Sequence, residues 1–208
     1  MQTINEDIKN GTFKPVYLLY GEEAFLKQSY KKKLRAAITG DDTMNYNYFE
    51  GKGLDVNELI SLADTMPFFS ERRLILIEDS GFFKTSSEAL AEYLPTMPDT
   101  TCIVFVEEAV DKRNKLYKKV KDLGHIAEMK RQAATILAQN GRKITPSTMN
   151  LFLERVGDDM ENIRMELEKL ISYTMGSEVV TVEDVKVITT VQITNKIFDM
   201  VAAITAGK

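Results

Sequence analysis

The stretch Thr65-Met66-Pro67-Phe68-Phe69-Ser70-Glu71-Arg72-Arg73 runs straight into Leu74-Ile75-Leu76-Ile77 and marks a junction between a helix and a strand. Upstream, Val56, Leu59, Ile60 and Ala63 recur at helical spacing. Pro67 cannot join a helix interior and biases Met66 away from α geometry, so the helix is predicted to end near Met66. The aliphatic run beyond the turn reads as a buried strand. Both phenylalanines fall on the turn itself, and turns lie on surfaces. Two readings follow for Met66, Phe68 and Phe69. They tuck back into the core, where most aromatics go, or they face a partner as an apolar wedge. Pattern alone favours neither.

Working outward, apolar runs bounded by Gly and Pro alternate with helix-period segments. Strands are predicted at Pro15 to Tyr20, Tyr46 to Phe49, Leu74 to Glu78, Thr101 to Glu107 and Ile126 to Met129. Helices are predicted at Glu23 to Ile38, Val56 to Asp64, Glu88 to Leu94 and Lys112 to Leu123, the third opened by a capping box over Thr85-Ser86-Ser87-Glu88. Continuous apolar strands alternating with helices imply a largely parallel sheet covered on both faces, an α/β domain over residues 1–130.

Beyond residue 130 helical spacing takes over, through Met149, Phe152, Leu153 and Val156, then Met160, Ile163, Leu167, Leu170 and Ile171, then Ile197, Val201 and Ala202. Thr145-Pro146 places a cap before a first-turn proline, and Thr181-Val182-Glu183-Asp184 opens a further short helix. Residues 131–208 are therefore predicted to form a small helical domain.

Composition narrows the chemistry. The chain has 208 residues, 44% hydrophobic and 28% charged, and none of its apolar runs approaches the roughly 18 residues that a membrane span needs. Met1 to Thr12 is polar and mixed in charge, unlike a signal or transit peptide, so the cytoplasm is the expected compartment and no membrane partner is expected. With one cysteine, Cys102, and one histidine, His125, the sequence allows no internal disulfide and no Cys/His zinc cluster. Cys102 sits in an apolar strand as core filler, and His125 at a strand entry reads as structural. A net charge of −4 argues against a surface that coats nucleic acid everywhere, so any DNA contact must be local.

The first strand ends in Gly21 and feeds a helix, the position of a phosphate-binding loop. Such a loop needs glycines to wrap N–H groups round phosphates, and a Lys followed by Ser or Thr. Gly21-Glu22-Glu23-Ala24-Phe25-Leu26-Lys27-Gln28 lacks the second glycine, places two carboxylates in the cradle and has Gln28 after the lysine. Glu22 and Glu23 repel a triphosphate, and at a helix start they are expected to cap free N–H groups. Glu78-Asp79 ends a strand like a Mg²⁺-holding pair, but has no phosphate to serve. Asp158, Asp159 and Glu161 lack the alternating spacing of a Ca²⁺ loop and are expected to cap the helix of Ile163 and Leu167. No catalytic residue, cofactor or metal is expected.

Several stretches together resemble the delta subunit of the bacterial DNA polymerase III clamp loader, in its low-GC Gram-positive form. They are Val16-Tyr17-Leu18-Leu19-Tyr20-Gly21-Glu22-Glu23, Thr65 to Leu74, Val110-Asp111-Lys112-Arg113-Asn114-Lys115-Leu116-Tyr117-Lys118, Gly157-Asp158-Asp159-Met160 and Glu166-Leu167-Glu168-Lys169-Leu170. The resemblance implies a degenerate AAA+-like sheet domain and a helical lid-like domain. It also implies a non-catalytic subunit of a polymerase holoenzyme in DNA replication, which binds the sliding clamp and opens it while other loader subunits hydrolyse ATP. On the same ground Met66, Phe68 and Phe69 become the clamp-binding wedge with Ser70 to Arg73 as a polar rim, and Met160 stands where loader ATPases carry a nucleotide-sensing arginine. The resemblance further implies a longer helix after Lys130 than Arg131 to Gly141 allows, and a third, collar domain absent from this chain.

Two basic clusters remain. Lys112, Arg113, Lys115, Lys118, Lys119 and Lys121 fall on one predicted helix with an inner stripe of Leu116, Val120 and Leu123. Lys27, Lys31, Lys32, Lys33 and Arg35 form the other. Either could be a solvated face, the favoured reading for the first, or hold phosphates, with Lys112, Arg113, Lys115, Lys118 and Lys119 the candidate DNA contacts. Two rivals to the clamp-binding reading stay open: an active nucleotide hydrolase, and a stand-alone DNA-binding module.

Overall fold

Every apolar run of the first part pairs with another in parallel register, as continuous hydrophobic strands require. The computed structural model describes residues 2–85, 87–130 and 132–189. The chain divides into two compact units, Met1–Lys130 and Arg131–Lys208.

In the first unit the elements run α1 (Gln2–Asn10), β1 (Val16–Tyr20), α2 (Ala24–Ile38), β2 (Tyr46–Glu50), α3 (Val56–Ala63), β3 (Arg73–Glu78), α4 (Glu88–Tyr93), a 3-10 turn (Leu94–Thr96), β4 (Thr101–Glu107), α5 (Lys115–Leu123) and β5 (His125–Glu128). The sheet order is β2-β3-β4-β1-β5, all parallel. One face, built by Val16, Leu18, Ile75, Ile77, Ile103 and Phe105, packs against Leu59, Phe83, Leu90, Leu116 and Val120. The pleat sends the alternate residues to the other face, where α2 lies over β1, β3 and β4 with Leu26, Tyr30 and Leu34 buried. Cys102 is fully buried there, and desolvation raises its thiol to about 12, so it is filler with no nucleophilic role.

Several boundaries depart from the sequence reading. Helix α1 was not anticipated. It buries Ile4, and Asp7 accepts the Tyr17 hydroxyl at 2.8 Å and pairs with His125 Nε2 at 3.2 Å, which gives the lone histidine a structural place. Helix α3 stops at Ala63, before Pro67 acts: Asp64 still donates to the Ile60 carbonyl as a helical residue would, and Thr65 then tightens the last turn onto Leu62. The predicted box at Thr85 does not form: the Thr85 hydroxyl donates to the Gly81 carbonyl and Ser87 is the N-cap. Helix α5 begins at Lys115, with Asn114 accepting the Leu116 amide, so Lys112 and Arg113 lie on the preceding loop.

The second unit comprises α6 (Gln132–Gln139), β6 (Lys143–Ile144), α7 (Pro146–Val156), α8 (Met160–Tyr173), β7 (Val179–Val180) and α9 (Val182–Ile188). Its caps follow the sequence. Thr145 accepts from Thr148, Asp159 from Asn162, and Thr181 with Asp184 closes a capping box. Phe152, Leu153, Ile163, Leu167 and Leu170 form the buried stripe. The two-stranded β6–β7 ladder carried no readable pattern, and the longer helix implied after Lys130 is two turns here. Ile197, Val201 and Ala202 lie outside the described residues. Among the described residues no helix is long and apolar enough to cross a membrane.

Candidate functional site

Between α3 and β3 the chain makes a tight excursion whose polar atoms face inward and whose apolar atoms face outward. Met66 is 77% exposed, Phe68 55% and Phe69 94%, while the adjoining strand residues are buried. The two rings meet edge to face with centroids 4.4 Å apart. Phe69 takes φ +50°, a left-handed conformation that is uncommon for an aromatic residue and costs on the order of 1–3 kcal/mol. The core reading of these side chains is therefore excluded by the structure.

That conformation is held from beneath by two residues to which sequence reasoning gave no such role. Asn45, fully buried just before β2, accepts the Phe68 amide proton at 2.7 Å and donates to the Phe68 carbonyl at 2.8 Å. Arg73 opens β3, and its guanidinium donates to the carbonyls of Thr65 (3.2 Å) and Met66 (3.4 Å) and to Asn47 Oδ1 (2.9 Å). At 6% exposure Arg73 is no part of a polar rim; it fastens the loop from inside. Glu71 is exposed and Arg72 half-buried, so the rim is thinner than the sequence suggested. Position before a strand was the only signal for Asn45.

The other candidate position is the crevice beyond the carboxyl ends of β1 and β4, where parallel sheets bind ligands. The chain fills it with its own backbone. Gly21 N–H donates to the Glu107 carbonyl, Glu23 N–H to the Met129 carbonyl at 3.0 Å, and Lys27 Nζ to the Glu107 carbonyl at 3.3 Å. A Cβ at Gly21, where φ is +126°, would lie 2.3 Å from the Met129 oxygen. Glu23 occupies the N-cap of α2 but makes no capping bond with its side chain, contrary to the expectation for it. Glu78 at the end of β3 is engaged by Lys31 at 2.6 Å and Gln28 at 3.2 Å. Among the described residues there is no group of three or more His, Cys, Asp or Glu placed to hold a metal.

The family model for the DNA polymerase III delta subunit matches residues 17–130, more than half of the chain. This chain belongs to the DNA polymerase III delta subunit family. The DNA polymerase III subunit delta of Bacillus subtilis strain 168 is 25% identical over 231 aligned residues, which take in 98% of this chain and 65% of that relative. A solved Bacillus subtilis DNA clamp loader delta protein is 24% identical with a TM-score of 0.58, over 97% of this chain and 66% of that one, so the two share a fold. This chain thus spans about two thirds of the length of the delta subunits it matches.

Within this delta-family sheet domain the basic residues are less uniform than their spacing implied. Lys112 reaches Glu128 at 3.1 Å and lies over the Tyr20 ring. Arg113 is paired with Asp111 at 2.8 Å and holds that carboxyl down at about 2. Lys115 pairs with Glu88 at 2.7 Å. Lys118, Lys119 and Lys121 are the other exposed cations of α5.

Proposed function

We propose that this chain is the clamp-contacting part of a delta subunit, a clamp-loader component of DNA polymerase III in replication. In this reading Met66, Phe68 and Phe69 enter an apolar pocket of the ring-shaped sliding clamp. The observation that carries it is the outward presentation of Phe69 at φ +50°, because an aromatic side chain almost wholly in solvent on a strained, doubly fastened loop has no folding role to explain it. Burying each of the three side chains contributes roughly 1.5–3 kcal/mol, on the scale of an interface hot spot. Ring opening then requires that the relaxed or open clamp accept this wedge more tightly than the closed one.

The remaining parts fit a non-catalytic role. The crevice closed by Met129 leaves phosphates no amide cradle, so ATP hydrolysis belongs to other loader subunits, and no cofactor is assigned. The second unit is lid-like and works beside those subunits. DNA, where it touches this chain, meets the exposed lysines of α5, and the site of action is the cytoplasm. The test is a sliding-clamp pull-down with the parent chain and with Phe68→Ala/Phe69→Ala. Capture by the parent alone, at equal folding stability, supports the reading; equal capture by both overturns it.

A further inference from the structure

We infer that Asn45, oriented by Asp42, is a positioning residue that holds the Phe68–Phe69 loop in its binding conformation before any partner arrives. The inference rests on the clamp-contact reading and deepens it.

Asn45 is a polar side chain at zero exposure, and nearly everything it does is aimed at one residue. Its Oδ1 takes the Phe68 N–H and its Nδ2 gives to the Phe68 carbonyl, so the amide acts as a two-point bridge to a loop residue 23 positions away. A carboxamide can do this in only one of its two orientations. Asp42 selects that orientation, because its Oδ2 accepts from Asn45 Nδ2 at 2.6 Å and its Oδ1 from the Asn45 and Met44 amides at 3.2 and 2.8 Å. The Asn45 side-chain bond first, then the Asn45 and Met44 amides, hold the Asp42 carboxyl below its ordinary value, with Ser70 adding the smallest pull. The loop is thus gripped at Phe68 by Asn45 and at Thr65 and Met66 by Arg73, with Phe69 directly after the first grip.

The backbone of Asn45 separately receives the Leu74 amide at 2.8 Å, within the β2–β3 junction. Truncating the side chain therefore spares the sheet and releases the loop. A released loop populates conformations in which Phe69 leaves its strained φ, and a partner must then reorder it on binding.

The experiment compares the parent, Asn45→Ala and Asp42→Ala in two readouts. Chymotrypsin cleavage after Phe68 or Phe69 is timed in the isolated chain, and affinity for the sliding clamp is measured beside thermal melts. Loss of two neutral hydrogen bonds predicts roughly ten-fold faster cleavage at this loop in Asn45→Ala and a smaller rise in Asp42→Ala. Clamp affinity should fall in the same order, about ten-fold for Asn45→Ala. Should Asn45→Ala melt far below the parent, Asp42→Ala, at a half-buried position on the otherwise exposed loop ahead of β2, decides the matter alone. Unchanged cleavage in the variants overturns the inference. So does faster cleavage with undiminished clamp affinity. A parent chain that fails to bind the clamp instead overturns the reading on which the inference rests, and the cleavage rates still report whether Asn45 holds the loop.

Discussion

The carbonyl oxygen of Met129 accepts the Glu23 amide proton at 3.0 Å, at the mouth of the crevice where a phosphate would need that amide. The Met129 amide in turn donates to the Tyr20 carbonyl at 2.6 Å, so the residue following β5 is stitched to the end of β1 on both sides. Displacing it means breaking backbone bonds, leaving buried groups unpaired and exposing Met129, which is fully buried.

Calorimetric titration with millimolar Mg-ATP is accordingly expected to give no saturable heat. Micromolar binding displaced by ADP would show that the plug yields. A stability measurement checks the same contact from the other side. In Gly21→Ala the added carbon meets the Met129 oxygen at 2.3 Å with φ at +126°, and the unfolding free energy should drop by about 2 kcal/mol. A parent-like urea midpoint would show that the stitch is loose.

Glu107 supplies a pH dependence. It ends β4 at 2% exposure, accepts both the amide and the hydroxyl of Ser80, and is pushed above the ordinary glutamate value of 4.5 by burial, against the opposing pull of those bonds. Because the folded carboxyl holds its proton to higher pH than the unfolded one, its contribution is full below 4.5 and is lost as pH rises through the folded value. Urea midpoints across that range should therefore fall more steeply with pH in the parent than in Glu107→Gln. Parallel curves would contradict the assignment.

Affinity for DNA, where measurable, should be weak and electrostatic, carried by α5. Lys112, Arg113 and Lys115 face carboxylates, so the release of counterions falls to Lys118, Lys119 and Lys121. Reversing Lys118 and Lys119 to Glu should weaken binding and flatten the slope of log affinity against log salt by about 1.8. An unaltered slope would move the contact off this helix.

The three central strands were legible because they are buried on both faces and so read as unbroken apolar runs; Thr101-Cys102-Ile103-Val104-Phe105-Val106-Glu107 is a strand in the sequence and in the structure alike. The caps at Thr145, Asp159 and Thr181 were legible because each acts within three residues of itself. What depends on distant partners was not. Helix α1 is polar in sequence and is anchored through Tyr17 and His125. Arg73 sat in a run of charges that read as rim, yet three acceptors from other segments draw it inside. Asn45 carried only its position before a strand, since its role exists only once β2 and β3 bring it beneath Phe68. The outward placement of Met66, Phe68 and Phe69 was one of two open readings, and their exposure is visible only in the loop geometry.

The most direct test of the account is the Phe68→Ala/Phe69→Ala double mutant, measured by clamp-binding isotherm and thermal melt on the same preparations. Both rings are largely in solvent, so the melting temperature should stay close to the parent's while clamp binding weakens by at least about 2 kcal/mol. A variant that binds the clamp as tightly as the parent, or one that loses the roughly 3–5 kcal/mol of folding stability expected for truncated core phenylalanines, would contradict it.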